Sequence, residues 1–433
     1  MKKVAFYTLG CKVNQYETEA ITELFEKAGY EVVDFGDVAD VYIINTCTVT
    51  GESARKSRQM IRRAKAINED SVVVVAGCYA QTEAEEVAKI PGVNLVIGTK
   101  DRGRIVEYVQ EIMDGRESIN AVDNIMRERQ FEELKVGNFK EHTRAFVKIQ
   151  DGCTQFCSYC IIPYARGPVR SRAPGDIVEE IQKIAEKGFK EVVLTGIHIA
   201  SYGKDLGNIS LLDIVNKVHE IDGIERIRLG SLEPTVVTVD FVKNISGLKK
   251  LCPHYHISLQ SGCDETLKRM NRKYTTSQYE TAVNLLRENI DDVAITTDVM
   301  VGFPGETEEE FRQTYEFLKK IEFMRMHVFK FSPRKGTPAY SFKNQVTAKE
   351  KEKRSKMVIA LSMENTIKFN KRFIGRVAPV LFEQEVPSMP GYYEGLTPNY
   401  IRVLCKGDNR LKGEIRLVSM NETREDFVLG EII

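Results

Sequence analysis

Three cysteines lie close together in the middle of the chain, in the spacing C-x3-C-x2-C. They are Cys153, Cys157 and Cys160, and this spacing places their thiolates in one tight loop. Cysteine thiolates bind iron-sulfur clusters and select soft metals. Three ligands leave one iron of a four-iron cube open, and an open position distinguishes a reactive metal site from a closed structural one. The sequence therefore predicts a reactive iron-sulfur cluster in this loop.

A structural zinc site and a disulfide are the two simpler uses of the same cysteines. Structural zinc sites usually have four ligands, and no fourth ligand follows here within a plausible span. Disulfides need an oxidising compartment. The apolar run after Met1-Lys2-Lys3 is too short for a secretory signal, and no later run reaches the length of a spanning helix. We therefore expect a cytoplasmic protein with reduced thiols and no membrane partner.

The length and charge of the chain set the frame for its domains. The 433 residues allow about three domains of ~150 residues each, and 42% hydrophobic residues supply their cores. Because the formal net charge is +0, any contact with nucleic acid must come from local basic patches.

The first part of the chain alternates predicted strands and helices. Strands are predicted at 3–10, 41–46 and 71–77, and helices at 15–28, 53–66 and 83–89. The run Val72-Val73-Val74-Val75 is continuously apolar, as in strands that are buried on both faces. Apolar strands between amphipathic helices predict a parallel sheet in a doubly wound α/β domain.

Three further cysteines each follow one of these strands. Cys11 follows the first strand, Cys47 the second and Cys78 the third. The carboxyl ends of parallel strands meet at the sheet edge where such folds bind ligands, so the three thiols should converge. Any one of them alone would more simply be a buried core cysteine. Their shared position predicts a second, auxiliary cluster.

Four stretches around the six cysteines share a pattern with a known family. They are Gly10-Cys11-Lys12-Val13-Asn14-Gln15-Tyr16-Glu17, Asn45-Thr46-Cys47-Thr48-Val49, Gly77-Cys78-Tyr79 and residues 153–172. These motifs resemble the methylthiotransferase family of radical S-adenosylmethionine enzymes over essentially the whole chain. They are most similar to the bacterial branch that acts on threonylcarbamoyladenosine in tRNA. The branches that act on isopentenyladenosine in tRNA or on a ribosomal-protein aspartate are the alternatives.

This resemblance implies the cofactors and the reaction. The cofactors would be two 4Fe-4S clusters and S-adenosylmethionine, whose amino and carboxylate groups the open iron chelates in that superfamily. One electron then breaks the sulfonium bond, and the 5′-deoxyadenosyl radical abstracts the hydrogen from carbon 2 of a modified adenine 3′ of the anticodon. A second S-adenosylmethionine methylates sulfur on the auxiliary cluster. The implied partners are the tRNA anticodon stem-loop, an electron donor such as flavodoxin or ferredoxin, and a sulfur donor.

The middle of the chain continues the alternation, with helices at 176–187 and 211–220. Strands are predicted at 191–196, 226–230, 256–260, 294–301 and 326–331. This alternation resembles the partial, TIM-like (β/α)6 barrel of the superfamily, with its active site at the carboxyl ends of the strands.

Residues at those strand ends are candidates to bind S-adenosylmethionine. They are Thr195, Gly196, Ser231, Glu233, Gln260, Gly302 and Gly305. The resemblance places Thr195 and Gly196 beside the methionine amine, and it places the backbone at Gly302 and Gly305 beside the adenine, where glycine permits close approach. The simpler alternatives are that both glycines shape a turn and that polar residues end strands to meet solvent.

The last part of the chain changes to short strands separated by turns. Strands are predicted at 377–382, 400–405, 413–419 and 427–433, which resembles the TRAM domain, a small OB-like β-barrel associated with RNA. Basic and aromatic residues that suit RNA are Arg376, Tyr392, Tyr393, Tyr400, Arg402, Lys406, Arg410, Lys412 and Arg416. We expect this barrel to be separable from the cluster domains. A basic helix near Arg62 is a second candidate RNA surface.

The expected domains are therefore four segments of the chain. They are 1–115 with the auxiliary cluster, a linker at 116–140, the radical S-adenosylmethionine domain at 141–370 and the TRAM domain at 371–433. An iron-sulfur electron carrier would not need the central barrel, and a non-catalytic RNA-binding protein would not need six placed cysteines. Cys252, Cys263 and Cys405 are expected to be incidental small hydrophobes.

Overall fold

Six parallel strands form the first sheet in the computed structural model, which describes residues 1–49, 51–136 and 143–433. The strands are β1 (Lys3–Thr8), β2 (Glu31–Val33), β3 (Val41–Thr46), β4 (Val72–Gly77), β5 (Leu95–Ile97) and β6 (Ile119–Asn120). Their order is β2-β1-β3-β4-β5-β6. The three longest, β1, β3 and β4, are the predicted strands. The sequence does not indicate β2, β5 and β6, because runs of two or three residues have no readable periodicity.

Helices cover both faces of this sheet. They are α1 (Lys12–Lys27), α2 (Gly51–Ile67), α3 (Cys78–Thr82), α4 (Ala84–Ala88) and α5 (Ile105–Met113). Val74 of β4 packs in one core with residues of α1 and α5. Val73 and Val75 pack in the opposite core with residues of α2 and α3. The predicted doubly wound domain is confirmed, and the apolar run of β4 is buried on both faces.

The segment expected to be a linker, 116–140, contributes to the first sheet. Its strand β6 pairs in parallel with β5. Farther along, the Glu132 carboxylate accepts a hydrogen bond of 2.9 Å from Nε of Arg102. Residues 137–142, which include the end of the expected linker at 140 and the start of the next expected domain at 141, lie outside the described residues.

Six parallel strands and one short antiparallel strand form the central barrel. They are β7 (Arg144–Asp151), β8 (Arg170–Ser171), β9 (Glu191–Gly196), β10 (Arg226–Leu229), β11 (His254–His256), β12 (Ala294–Val301) and β13 (Arg325–Lys330). One sheet has the order β10-β9-β7-β8 and the other β11-β12-β13. Parallel bridges from Ile227 to Leu251 and from Leu232 to Ile257 join them. The predicted partial (β/α)6 barrel is confirmed.

The central helices lie outside this barrel. They are α6 (Ile162–Arg166), α7 (Pro174–Glu186), α8 (Leu211–His219), α9 (Val239–Ile245), α10 (Asp264–Arg269), α11 (Thr276–Asn289), α12 (Glu308–Ile321) and α13 (Ala348–Lys371). Within the described ranges, no helix has the length and apolar character needed to cross a membrane.

The predicted strand 256–260 begins and ends earlier than expected, at His254 and His256. The residues after it make only isolated bridges, such as that from Gln260 to Val299. Gln260 has a φ of +71°, in the left-handed region that a regular strand excludes. The backbone at Gln260 therefore departs from regular strand geometry, and the side-chain pattern does not indicate this.

A closed five-stranded barrel forms the carboxyl-terminal domain. Its strands are β14 (Val377–Glu385), β15 (Tyr392–Leu396), β16 (Arg402–Lys406), β17 (Ile415–Arg424) and β18 (Phe427–Ile432), joined as β14-β15-β16-β18-β17. The predicted small β-barrel is confirmed, with β15 as a strand that the sequence does not indicate. Tyr400, expected at the start of a strand, has a φ of +70° and precedes β16.

This small barrel docks onto the amino-terminal ends of the central strands. Arg226 donates to the carbonyls of Leu396 and Pro379, each at 2.9 Å. Arg228 donates to the carbonyls of Thr397 and Pro398, each at 2.8 Å. The expectation that the domain is separable is wrong in this respect, because its removal would strip partners from two buried arginines.

The Tyr400 ring completes the same interface. It stacks on His254 with ring centroids 4.3 Å apart and planes 11° apart. The Arg228 guanidinium lies over the Tyr400 ring, 4.8 Å from its centroid. Tyr400 therefore faces the central barrel and is not available for RNA.

We expect Arg228→Met to destabilise the protein by about 3–5 kcal/mol, because it removes one partner of a buried ion pair. Arg228 Nε lies 2.6 Å from Glu191 Oε1, and the Glu191 side chain is fully buried. Denaturant unfolding of the variant measures the loss. Arg410→Met, at an exposed arginine paired with Asp408, is the control and should leave unfolding unchanged. Equal stability of the two variants would refute this view of the interface.

Candidate active site

The three central cysteines lie in the loop between β7 and α6, at the carboxyl end of β7. Gly152 begins this loop with a φ of +74°, and a Cβ there would lie 1.8 Å from the carbonyl oxygen of Pro168. Only glycine fits this close approach. Cys153 and Cys160 are half-buried and Cys157 is buried. The Cys153 amide donates to the Gly167 carbonyl at 3.0 Å, and the Cys160 amide donates to that of Cys157 at 2.9 Å.

The loop is also attached to distant parts of the central barrel. The Ser158 amide donates to the Met270 carbonyl at 3.0 Å, and the Ala339 amide donates to the Ser158 carbonyl at 2.8 Å. The Asn271 side chain donates to the Phe156 carbonyl at 2.9 Å. These bonds fix the loop backbone on both sides of Cys157.

Arg272 links the cysteine loop to a predicted cofactor residue. Its Nη1 donates to Cys157 Sγ at 3.3 Å, and its Nη2 lies 3.1 Å from Glu233 Oε1. His198 Nε2 lies 3.2 Å from the other oxygen of Glu233. Arg272 and His198 were not predicted, since only the fold brings these residues together.

Burial controls the protonation of the loop thiols. Burial, together with the neighbouring Cys157 thiolate, raises the pKa of Cys153 to about 11 and that of Cys160 to about 12. A bound metal deprotonates a coordinating thiol outright. Three soft donors in one loop with Arg272 beside them therefore fit an iron-sulfur cluster.

The predicted S-adenosylmethionine residues lie at the same end of the barrel as this loop. Thr195 and Gly196 end β9, and Ser231 and Glu233 follow β10. Ser231 is exposed, and Glu233 is buried between Arg272 and His198. The Gln260 backbone is hydrogen-bonded to Asp298 and Met300, so its side chain is the part left to bind a ligand.

Gly302 and Gly305 also follow a strand, β12, but their surroundings favour the turn interpretation. A Cβ at Gly302 would lie 2.3 Å from Cγ of Lys351, whose stem fills the adjacent space. The Gly302 amide donates to Glu306 Oε1 at 3.0 Å. The Gly305 amide donates to the Asn344 carbonyl at 2.9 Å. Both amides therefore have protein partners.

The other three cysteines follow the adjacent strands β1, β3 and β4. Cys11 is exposed, whereas Cys47 and Cys78 are buried. A Cβ at Gly10 would lie 3.1 Å from Cβ of Cys47, so the first two strand ends meet closely. Burial raises the pKa of Cys78, Arg166 opposes that rise, and Cys11 adds to it. The three thiols share one sheet edge.

Arg166 connects this second cysteine set to the first. It ends helix α6, which follows the central cysteine loop. Its Nε donates to Cys78 Sγ at 3.2 Å, and its Nη2 donates to Asn14 Oδ1 at 2.7 Å. Cys11 Sγ lies 3.8 Å from the same Asn14 oxygen. One buried arginine therefore spans the boundary between the two domains beside the second set of thiols.

A buried charge network fixes Arg166. The Glu17 carboxylate, on α1, pairs with Arg166 and lies 2.5 Å from Nη1 of Arg102 and 2.7 Å from Nζ of Lys148. Although burial raises the pKa of Glu17, these cations hold it well below its usual value. The network joins the first domain to β7, and each member lies far from the others in sequence.

The two cysteine sets differ from a single-ion site. In the described part of the chain, no three His, Cys, Asp or Glu side chains are arranged to bind one metal ion. A four-iron cluster instead distributes its thiolates over separate iron atoms. Cys252, Cys263 and Cys405 are also buried, and Cys405 packs in the core of the small barrel.

Two family models match this chain. Residues 147–318 match the radical SAM superfamily, and residues 3–98 match the Uncharacterized protein family UPF0004. Among solved structures, the radical S-adenosylmethionine methyltransferase TsrM from Kitasatospora setae superposes with a TM-score of 0.59 at 17% identity. The superposition covers 78% of this chain and 77% of the TsrM chain. At this identity the likeness shows the fold.

Relatives match along almost the full length. The chain is 43% identical over 436 residues to "Threonylcarbamoyladenosine tRNA methylthiotransferase MtaB" of Bacillus subtilis (strain 168), covering 100% of this chain and 97% of the relative. It is 34% identical over 437 residues to "tRNA-2-methylthio-N(6)-dimethylallyladenosine synthase" of Pelotomaculum thermopropionicum, covering 99% and 97%. The chain therefore belongs to the radical S-adenosylmethionine tRNA methylthiotransferases, a family of enzymes that use a 4Fe-4S cluster and S-adenosylmethionine.

Proposed function

We propose that this enzyme adds a methylthio group to carbon 2 of N6-threonylcarbamoyladenosine, 3′ of the anticodon in tRNA. The observation that carries the proposal is the contact of Arg166 with Cys78, which places the second cysteine set beside the domain of the first. The higher identity to the threonylcarbamoyladenosine relative than to the dimethylallyladenosine one, 43% against 34%, supports the branch.

We further propose one 4Fe-4S cluster for each cysteine set. Cys153, Cys157 and Cys160 would bind the radical cluster, and Cys11, Cys47 and Cys78 the auxiliary cluster. When bound, the clusters and S-adenosylmethionine supply radical formation and a sulfur-bearing metal site. Arg272 contacts both Cys157 and Glu233 and so fixes their relative positions. Arg166 does the same for Cys78 and Asn14. The protein thus orients the reactants.

Thr195, Gly196, Ser231, Glu233 and Gln260 remain the proposed S-adenosylmethionine residues. The geometry supports Gly302 and Gly305 less, because their amides have protein partners. An electron donor such as flavodoxin or ferredoxin and a sulfur donor complete the proposal. Action on tRNA makes the cytoplasm the expected compartment.

The proposed RNA surface is the outer face of the small barrel, with fewer residues than the sequence suggested. Tyr393 is buried in the barrel core, Tyr400 faces the central barrel, and Arg402 pairs with Glu394. Five of the predicted basic residues are exposed, namely Arg376, Lys406, Arg410, Lys412 and Arg416, and Arg376 pairs with Asp292. On α2, Lys56, Arg62 and Arg63 are exposed as well and form the alternative surface.

We expect the variant Lys406→Ala/Lys412→Ala/Arg416→Ala to flatten the salt dependence of tRNA binding. Removal of one lysine or arginine that neutralises a phosphate should reduce the slope of log affinity against log salt by about 0.7 to 0.9. Fluorescence anisotropy of a labelled anticodon stem-loop at several salt concentrations measures the slope. Lys183→Ala/Lys187→Ala, on the exposed side of α7, is the control. An unchanged slope would move the RNA surface to α2.

Mass spectrometry of tRNA nucleosides tests the proposed reaction. The reconstituted enzyme, given S-adenosylmethionine, reductant and a sulfur source, is incubated with tRNA that contains threonylcarbamoyladenosine. We expect the 2-methylthio derivative of that nucleoside. If only tRNA that contains dimethylallyladenosine gives a methylthio product, the enzyme belongs to the other branch.

A further inference from the structure

The interior of the central barrel is polar, unlike the packed apolar interior typical of (β/α)8 barrels. Alternate strand residues, among them Val147, Leu194 and Ile257, pack in the core beneath the helices. Because side chains alternate along a strand, the residues between them face the interior. They are Arg144, Phe146, Lys148, Glu191, Arg228, His254, His256, Thr296, Asp298 and His327.

Three histidines line one side of this interior. His254 Nε2 and His256 Nδ1 each lie 3.0 Å from Oγ1 of Thr296. His256 Nε2 lies 3.3 Å from Oδ2 of Asp298, whose side chain is 28% exposed. The ring centroids of His256 and His327 are 5.7 Å apart. These groups form a hydrogen-bonding wall that solvent reaches.

Most charges that face the interior have an opposite charge nearby. Arg144 Nε lies 2.5 Å from Oε1 of Glu383, and Arg228 pairs with Glu191. Lys148 lies 2.7 Å from Glu17 and 2.6 Å from Asp151. The charges within each pair neutralise each other, so these side chains do not need a ligand to balance their charge.

Lys12 is different. It begins α1 in the first domain, directly after Cys11, and its amine lies 5.7 Å from the centroid of the Phe146 ring. Burial lowers the pKa of both His254 and His327, and the positive charge of Lys12 lowers both further. The amine therefore lies close to the Phe146 ring and within electrostatic range of the histidine wall. The Tyr400 hydroxyl and the Glu191 carboxylate lie within electrostatic range of the amine, but among the described residues neither forms a hydrogen bond or an ion pair with it.

We propose that the barrel interior is the binding site for a carboxylate on the target base, with Lys12 as its cationic partner beside the histidine wall. The inference rests on the proposed function, in which the adenine has an amino-acid substituent at N6. An apolar substituent would leave the amine without a partner, which is costly in a confined site. Lys12 thereby becomes a specificity residue.

A phosphate of the RNA backbone is also an anion, but it would have to reach the amine from outside the barrel. The interior lies inside the barrel and is closed at its amino-terminal end by the small barrel through Tyr400. A base that leaves its stack can enter such a pocket. The backbone stays at the surface. These observations favour the carboxylate.

Binding of three anticodon stem-loops to the full-length reconstituted enzyme tests this inference. One contains unmodified adenosine, one threonylcarbamoyladenosine and one its neutral methyl ester. We expect the wild type to bind the acid about tenfold or more tightly than the ester. Lys12→Met should remove that preference, Lys12→Arg should retain part of it, and Lys187→Met, at an exposed lysine outside the barrel, should retain it fully.

Each other outcome overturns the inference. If Lys12→Met keeps the acid preference, the carboxylate binds elsewhere, and the proposed function still stands on the nucleoside product. If Lys12→Met weakens all three stem-loops equally, the amine contacts a phosphate. If the wild type does not distinguish acid from ester, no carboxylate site exists, and the nucleoside product separately decides the proposed function.

Discussion

Cys157→Ala is expected to abolish both cleavage of S-adenosylmethionine and formation of methylthiolated tRNA. Cys157 is the buried member of the central set, and Arg272 donates to its sulfur at 3.3 Å. Without it, two thiolates remain for a cube that needs three, and Arg272 keeps only Glu233 as an anionic partner. We expect 5′-deoxyadenosine to fall below detection and iron per chain to fall by about half, because the auxiliary site is intact.

Chromatography of 5′-deoxyadenosine and iron analysis of the anaerobically reconstituted variant measure these effects. Cys405→Ala is the matched control, since Cys405 is buried in the small barrel, and it should keep both iron and cleavage. Cleavage by Cys157→Ala at the wild-type rate would show that the central loop is not the radical site.

Cys47→Ala is expected to uncouple the two halves of the reaction. Cys47 lies on the first domain, and the central loop is attached to the barrel through Met270, Asn271 and Ala339. The radical site should therefore remain, so 5′-deoxyadenosine should form while methylthiolated tRNA does not. Analysis of both products in one reaction separates this result from general loss of activity.

Cys263→Ala is the control for this variant, because Cys263 is buried in the central domain and is not a member of either set. It should form both products. If Cys47→Ala makes normal product with one cluster per chain, the inference from the shared strand ends of Cys11, Cys47 and Cys78 is wrong.

The two cysteine sets were predictable because local sequence contains their geometry. The spacing of Cys153, Cys157 and Cys160 confines them to one loop, and Cys11, Cys47 and Cys78 follow strands whose apolar character is readable. Parallel strands place their carboxyl ends at one edge. The meeting of β1, β3 and β4 follows from these strands and needs no long-range contact to be known.

The contacts of the small barrel with the rest of the protein could not be predicted in this way. Its strands are readable from short alternating runs, but its docking is not. Tyr400 resembles an RNA-stacking residue in sequence, yet its positive φ turns it onto His254. Arg226 and Arg228 resemble ordinary strand residues, yet they donate to carbonyls 153 to 170 positions away.

The sequence by itself determined the fold class and the family and predicted the domain bounds and the six cysteine ligands, because periodicity and motif spacing are properties of neighbouring residues. Only the tertiary structure decided which charged groups surround those cysteines. Arg166 and Arg272 act across domain or strand boundaries, and their partners are fixed by how buried charges must be paired once the elements pack. Pairing of that kind depends on distance in space, which the order of residues does not contain.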